Sequence, residues 1–243
     1  MAESRRAVRV VRSIGLERPI HAVAGSLFRV TTDEPVFHLT FDDGPHPDIT
    51  PRVLDVLDEF DAKATFFVLT DNAQKHPNLI HDTMSRGHDL ALHTRTHPRL
   101  TDMSFGRLRD EICAARRDLE AVAGIEIDWF RPPYGAQNIR SLSVVKMCGM
   151  QTVLWSVDSR DWKGLTAENP LERSLKFLEP GGILLLHDVP VGEDEEDDRS
   201  HGFVPKDELV RMFLVELRQR KLRPVSLTDL LAAGEPLRKA KFG

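Results

Sequence analysis

From Val36 onward, short apolar segments alternate with amphipathic segments of helical length, and this alternation restricts the fold more than any other feature. It predicts an α/β fold in which helices join the strands of a parallel sheet. We predict strands at residues 36–40, 64–69, 88–92, 128–131, 151–155, 182–187 and 222–226. Seven strands with interleaved helices indicate a distorted, seven-stranded (β/α) barrel.

Four of the predicted helices have recognisable ends. Thr50-Pro51 opens the first helix with a capping residue and a first-turn proline. The second helix covers about Ser104–Val122 and stops at Gly124. Two more helices are predicted over residues 166–178 and 205–220.

Length and composition fit one globular domain with an N-terminal extension. The chain has 243 residues, of which 41% are hydrophobic and 29% are charged, and this balance excludes disordered, collagen-like and coiled-coil proteins. A single α/β barrel needs about this length. We assign residues 1–33 to a basic extension and residues 34–243 to the barrel domain. Helically spaced apolar residues in 1–18 favour packing on the barrel over binding to a membrane surface.

We expect a cytoplasmic protein. The longest stretch near the N-terminus without acidic or basic residues, Pro19–Phe28, is shorter than the roughly 20 apolar residues of a membrane span. Arg9, Arg12 and further charges interrupt the segment where the apolar core of an export signal would lie. Cys113 and Cys148 lie in apolar helical patterns, so we predict two buried free thiols, which suit a reducing compartment.

Polar residues recur directly after the predicted strands. The carboxyl ends of the strands in a parallel α/β barrel converge on one face, where active sites form, so we expect these residues at one mouth. The polar groups are Asp42-Asp43, His93 and His97, Arg131–Tyr134, Asp158–Trp162, and His187-Asp188.

The first chemistry that these residues predict is metal binding. His93 and His97 are four positions apart, a spacing that one turn can direct at a common ion. Asp42 or Asp43 can complete a set of two histidines and one carboxylate, which leaves open positions for water and substrate. Because successive side chains of an extended segment point in opposite directions, one aspartate can bind the metal while the other accepts a proton from water.

Five motifs in this chain resemble those of the NodB-like polysaccharide deacetylases, the family-four carbohydrate esterases. They occur in the order found in that family, across residues 36–188, and the resemblance implies a barrel of the NodB-homology type. The motifs are Thr40-Phe41-Asp42-Asp43-Gly44-Pro45, His93-Thr94-Arg95-Thr96-His97, Arg131-Pro132-Pro133-Tyr134, Asp158-Ser159-Arg160-Asp161-Trp162 and Leu184-Leu185-Leu186-His187-Asp188.

The resemblance implies a metal centre with a general base beside it. Asp43, His93 and His97 correspond to the metal ligands of the family, which hold one divalent ion, usually zinc, with cobalt, nickel or manganese also accepted. Asp42 corresponds to the general base that acts on water. Arg131 corresponds to the arginine that holds this base and favours its ionised form.

The resemblance also implies a general acid and an acyl pocket. Tyr134 matches the position whose backbone N–H stabilises the oxyanion. His187 corresponds to the general acid that protonates the departing amine, and Asp161 to the carboxylate that orients it. Three further residues correspond to an apolar wall around the acetyl methyl group: Trp162, Leu184 and Leu186.

We therefore expect metal-dependent N-deacetylation of an N-acetylated amino sugar in an oligosaccharide or polysaccharide. The alternatives are a deformylase or amidohydrolase acting on a smaller intracellular N-acyl compound and a carbohydrate-binding protein without turnover. The presence of both Asp42 and His187 disfavours the binding protein.

Basic residues are scattered among acidic ones, which gives nucleic-acid binding little support. The acidic run 193–198 is predicted to hang near the mouth, either discouraging anionic glycans or acting only as a spacer.

Overall fold

The computed structural model describes residues 25–163, 169–190 and 205–239. Ten strands occur in this part of the chain: β1 Ser26–Thr31, β2 Val36–Asp42, β3 Ala64–Val68, β4 Asp89–Leu92, β5 Trp129–Phe130, β6 Gln151–Thr152, β7 Val157–Asp158, β8 Ile183–His187, β9 Arg223–Pro224 and β10 Glu235–Lys239. The α-helices are α1 Thr50–Glu59, α2 Thr70–Lys75, α3 Pro77–Ser85, α4 Phe105–Ala123, α5 Ile139–Met147, α6 Pro170–Ser174, α7 Lys206–Gln219 and α8 Leu227–Ala232. Short 3₁₀ turns cover Leu100–Asp102, Pro133–Gly135, Asp161–Lys163 and Leu175–Phe177.

Seven parallel strands form one curled sheet in the order β6-β5-β4-β3-β2-β8-β7. Strand β9 pairs in parallel with the first two residues of β2. A flat sheet of this size would separate its edge strands by about 29 Å. The edge strands β6 and β7 are joined by residues 153–156 alone, which reach at most about 18 Å. The sheet therefore has to curl, and the prediction of a distorted, seven-stranded (β/α) barrel is confirmed.

Six of the seven predicted strands are strands of the barrel, and five of them are shorter than predicted. The strand predicted at residues 222–226 is β9, which lies outside the order of the seven barrel strands and pairs with β2, and the seventh barrel strand, β7, was not predicted. Helix α4 begins after Ser104, whose side chain accepts from the Arg107 N–H, and it ends at Gly124 in the left-handed conformation, with φ 71°. The predicted helix 166–178 is divided into α6 and a 3₁₀ turn, and residues 164–168 lie outside the described part.

The predicted domain boundary at residue 33 needs correction. Strand β1 pairs antiparallel with β10, and Leu27 forms a bridge to Val153 beside β6. Residues 26–31 are thus part of the domain and not of an extension. The local pattern of a strand does not identify its pairing partner, which here lies at the other end of the sequence. Residues 1–24 and the acidic run 193–198 lie outside the described residues.

The two cysteines form a disulfide, so the prediction of free thiols is wrong. Cys113 lies in α4 and Cys148 directly follows α5, with 5.5 Å between their Cα atoms. They are 35 positions apart, and the packing of α4 against α5 brings them together. Disulfides are typical of oxidising compartments. The cytoplasmic location stays a prediction, and it loses the support that free thiols gave it.

Strand β2 separates an apolar layer from a polar interior, because its side chains alternate between two faces. Phe37, Leu39 and Phe41 belong to the main hydrophobic core together with residues of α1 and α4. His38 and Thr40 are fully buried among polar partners, with Thr65 beside the His38 ring and Arg131 beside the Thr40 hydroxyl. The polar face leads to Asp42 at the carboxyl end of the strand.

Across the described ranges, no helix has the length and apolar character needed to span a membrane.

Candidate active site

The predicted site residues come together at the carboxyl ends of the strands. Asp42 ends β2 and is paired in register with His187, which ends β8. His93 directly follows β4, and Arg131 directly follows β5. Asp161 begins the 3₁₀ turn that follows β7. Residues from five strands therefore contribute to one mouth of the barrel.

Asp43, His93 and His97 form a compact cluster of metal-binding groups. Asp43 Oδ1 lies 3.5 Å from His93 Nε2 and 3.6 Å from His97 Nε2. One ligand atom from each of the three residues lies within 4.8 Å of the others. Asp43 Oδ1 is buried and has no hydrogen-bond partner among the described residues. An orphaned carboxylate oxygen facing two imidazole nitrogens fits a divalent ion with a further coordination position open.

Unusual backbone conformations occur within and beside this cluster of metal-binding groups. Asp43, Thr94, His97 and Tyr134 have φ values of 75°, 73°, 65° and 61°, in the left-handed region that residues other than glycine rarely adopt. Such conformations cluster at functional sites, where surrounding contacts hold them. The Asp43 turn is held by the bond from its own N–H to the Phe67 carbonyl.

Asp188 supports the same turn from behind and had no role in the sequence analysis. A Cβ atom at Gly44 would collide with the Asp188 carboxylate, so a larger residue there would displace the buried Asp188 side chain. Thr50 donates to Asp188 Oδ2 at 2.6 Å. Burial raises the pKa of Asp188 to about 7.

The protonation of His93 suits a metal ligand. Its Nδ1–H donates to the Arg131 carbonyl at 2.8 Å, which leaves the lone pair of Nε2 facing Asp43. Burial lowers the pKa of His93 to about 3, so the imidazole is neutral at physiological pH. A neutral ring oriented by a bond from its other nitrogen is the usual form of a metal-binding histidine.

Arg131 holds Asp42 inside the barrel. The guanidinium is fully buried and donates to Asp42 Oδ1 at 2.6 Å. Its Cζ atom lies over the Phe67 ring, 4.0 Å from the ring centroid. Its remaining bonds reach the Thr40 hydroxyl and the carbonyls of residues 153 and 154. Burial raises the pKa of Asp42, although Arg131 and His187 act in the opposite direction. Asp42 Oδ2 is turned toward the cluster of metal-binding groups and lies 3.7 Å from His93 Nε2.

His187 and Asp161 form a close ion pair. His187 Nδ1 lies 2.7 Å from Asp161 Oδ1, and the His187 backbone N–H donates to Asp161 Oδ2 at 3.0 Å. Burial by itself would lower the pKa of His187, but the Asp161 carboxylate outweighs burial and raises it to about 9. The imidazole is therefore protonated at neutral pH and can donate a proton.

Lys206 was missed by the sequence analysis. Its Nζ donates to Asp161 Oδ2 at 2.6 Å. Burial acts to raise the pKa of Asp161, but Lys206 and His187 together hold it well below its usual range. The sequence signal was only that Lys206 lies at the start of a predicted helix, where a solvated lysine is equally common.

Tyr134 lies beside the cluster of metal-binding groups. Its ring is 59% exposed and packs edge-on against the His97 ring, with 4.4 Å between the ring centroids. The Arg99 guanidinium lies 5.1 Å from the Tyr134 ring centroid. The turn Pro133–Gly135 thus brings the Tyr134 backbone to the rim of the site.

The sequence model of the family described as polysaccharide deacetylase matches residues 29–153. A chitooligosaccharide deacetylase from Azorhizobium caulinodans is 39% identical over 168 residues, which cover 69% of this chain and 80% of that protein. This chain belongs to the polysaccharide deacetylase family. The resemblance carried by the five motifs is confirmed, and the chain is a hydrolase of the polysaccharide deacetylase type.

Two further similarities extend over most of the chain. A peptidoglycan-N-acetylglucosamine deacetylase from Bacillus cereus is 33% identical over 206 residues, covering 84% of this chain and 92% of that protein. The solved structure of the Bc1960 peptidoglycan N-acetylglucosamine deacetylase has a TM-score of 0.75 and 29% identity, covering 86% of this chain and 94% of that one. The family fold therefore includes most of the residues beyond the matched segment.

The predicted apolar wall of this deacetylase needs correction at two positions. Leu184 and Leu186 are fully buried in the main hydrophobic core. Because side chains alternate along β8, both lie on the face opposite His187, and their assignment to the substrate pocket is wrong. Leu185 shares the face of His187, is 4% exposed and belongs to neither core cluster. The strand period of two could have identified Leu185 from the sequence. Trp162 lies at the mouth and is 40% exposed.

Proposed function

We propose that this chain is a metal-dependent enzyme that removes the N-acetyl group from an amino sugar in an oligosaccharide or polysaccharide. One observation carries the proposal: a buried carboxylate held by arginine and a protonated histidine lie on neighbouring strands beside a cluster of metal-binding groups. The relatives act on chitooligosaccharide or on peptidoglycan N-acetylglucosamine, and both are N-acetylated glycans.

Asp43, His93 and His97 would hold the metal, and we propose zinc because two histidines and one carboxylate match its usual donors. The bound ion supplies Lewis acidity, which makes a water more acidic and polarises the carbonyl of the scissile amide.

Asp42 acts as the general base. Arg131 occupies Asp42 Oδ1, so Oδ2 is the oxygen that can accept the proton of the attacking water. The same bond to a buried guanidinium keeps Asp42 from rotating away from the site. A positioned base of this kind contributes about 10²–10⁴-fold to a hydrolytic rate.

His187 acts as the general acid. An amine leaves poorly unless it is protonated, and the Nε2–H of a protonated His187 can supply that proton. Asp161 binds the Nδ1–H and so orients Nε2 toward the mouth. The Tyr134 N–H stabilises the developing oxyanion, while Leu185 and Trp162 contact the acyl methyl group.

Metal removal tests this function. Dialysis against a chelator should reduce acetate release to less than about a hundredth of the starting rate, because the Lewis acid is lost. Added zinc or cobalt should restore the rate together with the measured metal content. The substrates should be N-acetylated and N-formylated chitooligosaccharides of several lengths, glucosamine derivatives and peptidoglycan fragments. Full activity in metal-free protein would contradict the mechanism, and formate release from small compounds alone would favour the deformylase alternative.

The two leucines of β8 provide a matched test of the acyl pocket. Leu185→Ala should lower kcat/KM for the N-acetyl substrate by about 10-fold, since a wall of the pocket is lost. Leu184→Ala should instead lower the free energy of unfolding by about 2–5 kcal/mol, with kcat/KM of the folded enzyme within about threefold of wild type. Steady-state kinetics and chemical denaturation measure the two effects. Equal kcat/KM losses in both variants would contradict the assignment of Leu185.

A further inference from the structure

The first residue of α7, Lys206, is a buried cation. It is 3% exposed and is the only lysine buried to this degree among the described residues. A lysine ammonium loses its hydration when it is buried and is rarely found inside unless it is paired. Among the described residues, its neighbour Asp207 forms a long, partly exposed ion pair with Arg52, with 3.7 Å between Arg52 Nε and Asp207 Oδ1. Two adjacent residues of one helix turn therefore have very different surroundings.

Within the described part of the chain, the Lys206 ammonium makes two hydrogen bonds, and both go to Asp161. Nζ donates to the Asp161 carboxylate at 2.6 Å and to the Asp161 carbonyl at 3.1 Å. Lys206 thus holds the side chain and the main chain of the residue that begins the 3₁₀ turn Asp161–Lys163. The lysine and the aspartate are 45 positions apart, so this contact connects α7 to the loop after β7.

The two oxygens of Asp161 have separate partners. Oδ1 lies 2.7 Å from His187 Nδ1 and 3.1 Å from the Ser159 hydroxyl. Oδ2 accepts from the His187 backbone N–H and from Lys206 Nζ. Rotation of this carboxylate would break the bond that orients the imidazole, and the ammonium on Oδ2 opposes that rotation.

We propose that Lys206 is a positioning residue for His187, which holds Asp161 in place from the first turn of α7 and thereby sets the orientation of the imidazole. This inference rests on the proposed function for the role of His187 as the general acid. It adds a third member to the His187–Asp161 pair, and the five sequence motifs contain no residue from α7.

Lys206 also affects how tightly His187 holds its proton. The titratable and charged groups around the imidazole are Asp161 after β7, Asp42 at the end of β2, Asp43 directly after it, Asp188 directly after β8, and Lys206 on α7. Ionised carboxylates favour the protonated ring, and Lys206 opposes them by neutralising Asp161. Without the ammonium, His187 would release its proton less readily, and donation to the leaving amine would be slower.

Lys206→Met tests the proposal, with Asp207→Asn as the control in the same helix turn. In Lys206→Met, kcat should fall by about 10–100-fold, the usual range for residues that orient a reacting group through another side chain. KM should change by less than about threefold, because Lys206 does not touch substrate. The alkaline limb of the kcat profile should move to higher pH by about half a unit to one unit. Asp207→Asn should match wild type in kcat and in the position of that limb.

Lys206→Arg separates charge from geometry. It keeps the positive charge, so the alkaline limb should stay where it is in the wild type. Its guanidinium is larger and planar and directs its N–H donors differently from an ammonium, so we expect the two bonds to Asp161 to be distorted and kcat to fall. If Lys206→Met does not fold, this variant decides: a reduced kcat supports the proposal, and a wild-type kcat overturns it.

An NMR titration of the His187 imidazole gives a readout that does not depend on activity. We expect a higher pKa of His187 in Lys206→Met than in the wild type, and the loss of the resonance in His187→Gln assigns it. An unchanged kcat profile and an unchanged imidazole titration in folded Lys206→Met would overturn the role of Lys206. A metal-loaded wild type that releases no acyl group would overturn the proposed function instead, and the NMR titration would still test Lys206.

Discussion

Replacing Asp42 with asparagine should lower kcat by about 10²–10⁴-fold while the metal content of the protein stays close to that of the wild type. The amide cannot accept a proton from water, so the base is lost. Its oxygen can still accept from Arg131, so the buried guanidinium keeps a partner and the fold is retained. Kinetics, metal analysis and thermal unfolding of the same preparation measure the three quantities.

The neighbouring aspartate is the control for this experiment. Asp43→Ala removes the oxygen that lies 3.5 Å and 3.6 Å from the two imidazole nitrogens. Metal affinity should therefore fall first, and part of the activity should return at high metal concentration. Equal metal loss in the Asp42 and Asp43 variants would show that the two roles are wrongly assigned.

Replacing His187 with alanine should cost about 10²–10⁴-fold in kcat and should remove the alkaline limb of the pH profile. The pKa of His187 is raised to about 9, so the ring is protonated below that pH and loses its proton above it. The wild-type rate should therefore fall as the pH rises through the His187 pKa. Without the imidazole, no group with that pKa remains to donate a proton to the amine.

The exposed His81 on α3, whose Nε2 lies 2.9 Å from the Val122 carbonyl, provides the matched control. His81→Ala should keep both the rate and the alkaline limb. A substrate with a better leaving group than an alkyl amine should be less sensitive to His187→Ala, because its departure needs less protonation. An alkaline limb that persists in His187→Ala would identify another group as the acid.

The polar residues at the mouth were predictable because each directly follows a strand. The end of a strand is visible in the local pattern, and all parallel strands of a barrel end on the same side. Asp43, His93 and His97 could therefore be placed together without knowledge of any distance. The structure adds that Asp43 Oδ1 is the carboxylate oxygen near both imidazole Nε2 atoms. It also shows that Arg131 orients Asp42 through its guanidinium and His93 through its carbonyl.

The sequence contained enough information to tell which leucine of β8 faces the site, but the prediction did not use all of it. Three leucines in a row fit a buried strand equally well on either face. The face follows from the period of two once His187 is placed in the site, and the structure shows Leu184 and Leu186 in the core.

Local periodicity in the sequence was sufficient to predict the α/β class, the barrel, six of its seven strands and the polar side chains next to the strand ends. The resemblance of the five motifs to those of the family, and not periodicity, gave Asp42 and Asp43 their separate predicted roles. Three contacts became visible only in the folded chain: the Cys113–Cys148 disulfide, the pairing of β1 with β10, and the bonds of Lys206 to Asp161. Each of these joins residues far apart in sequence through the packing of whole elements. Apolar periodicity shows which face of an element is buried, but it carries no information on which neighbour that face meets or on the register of the contact.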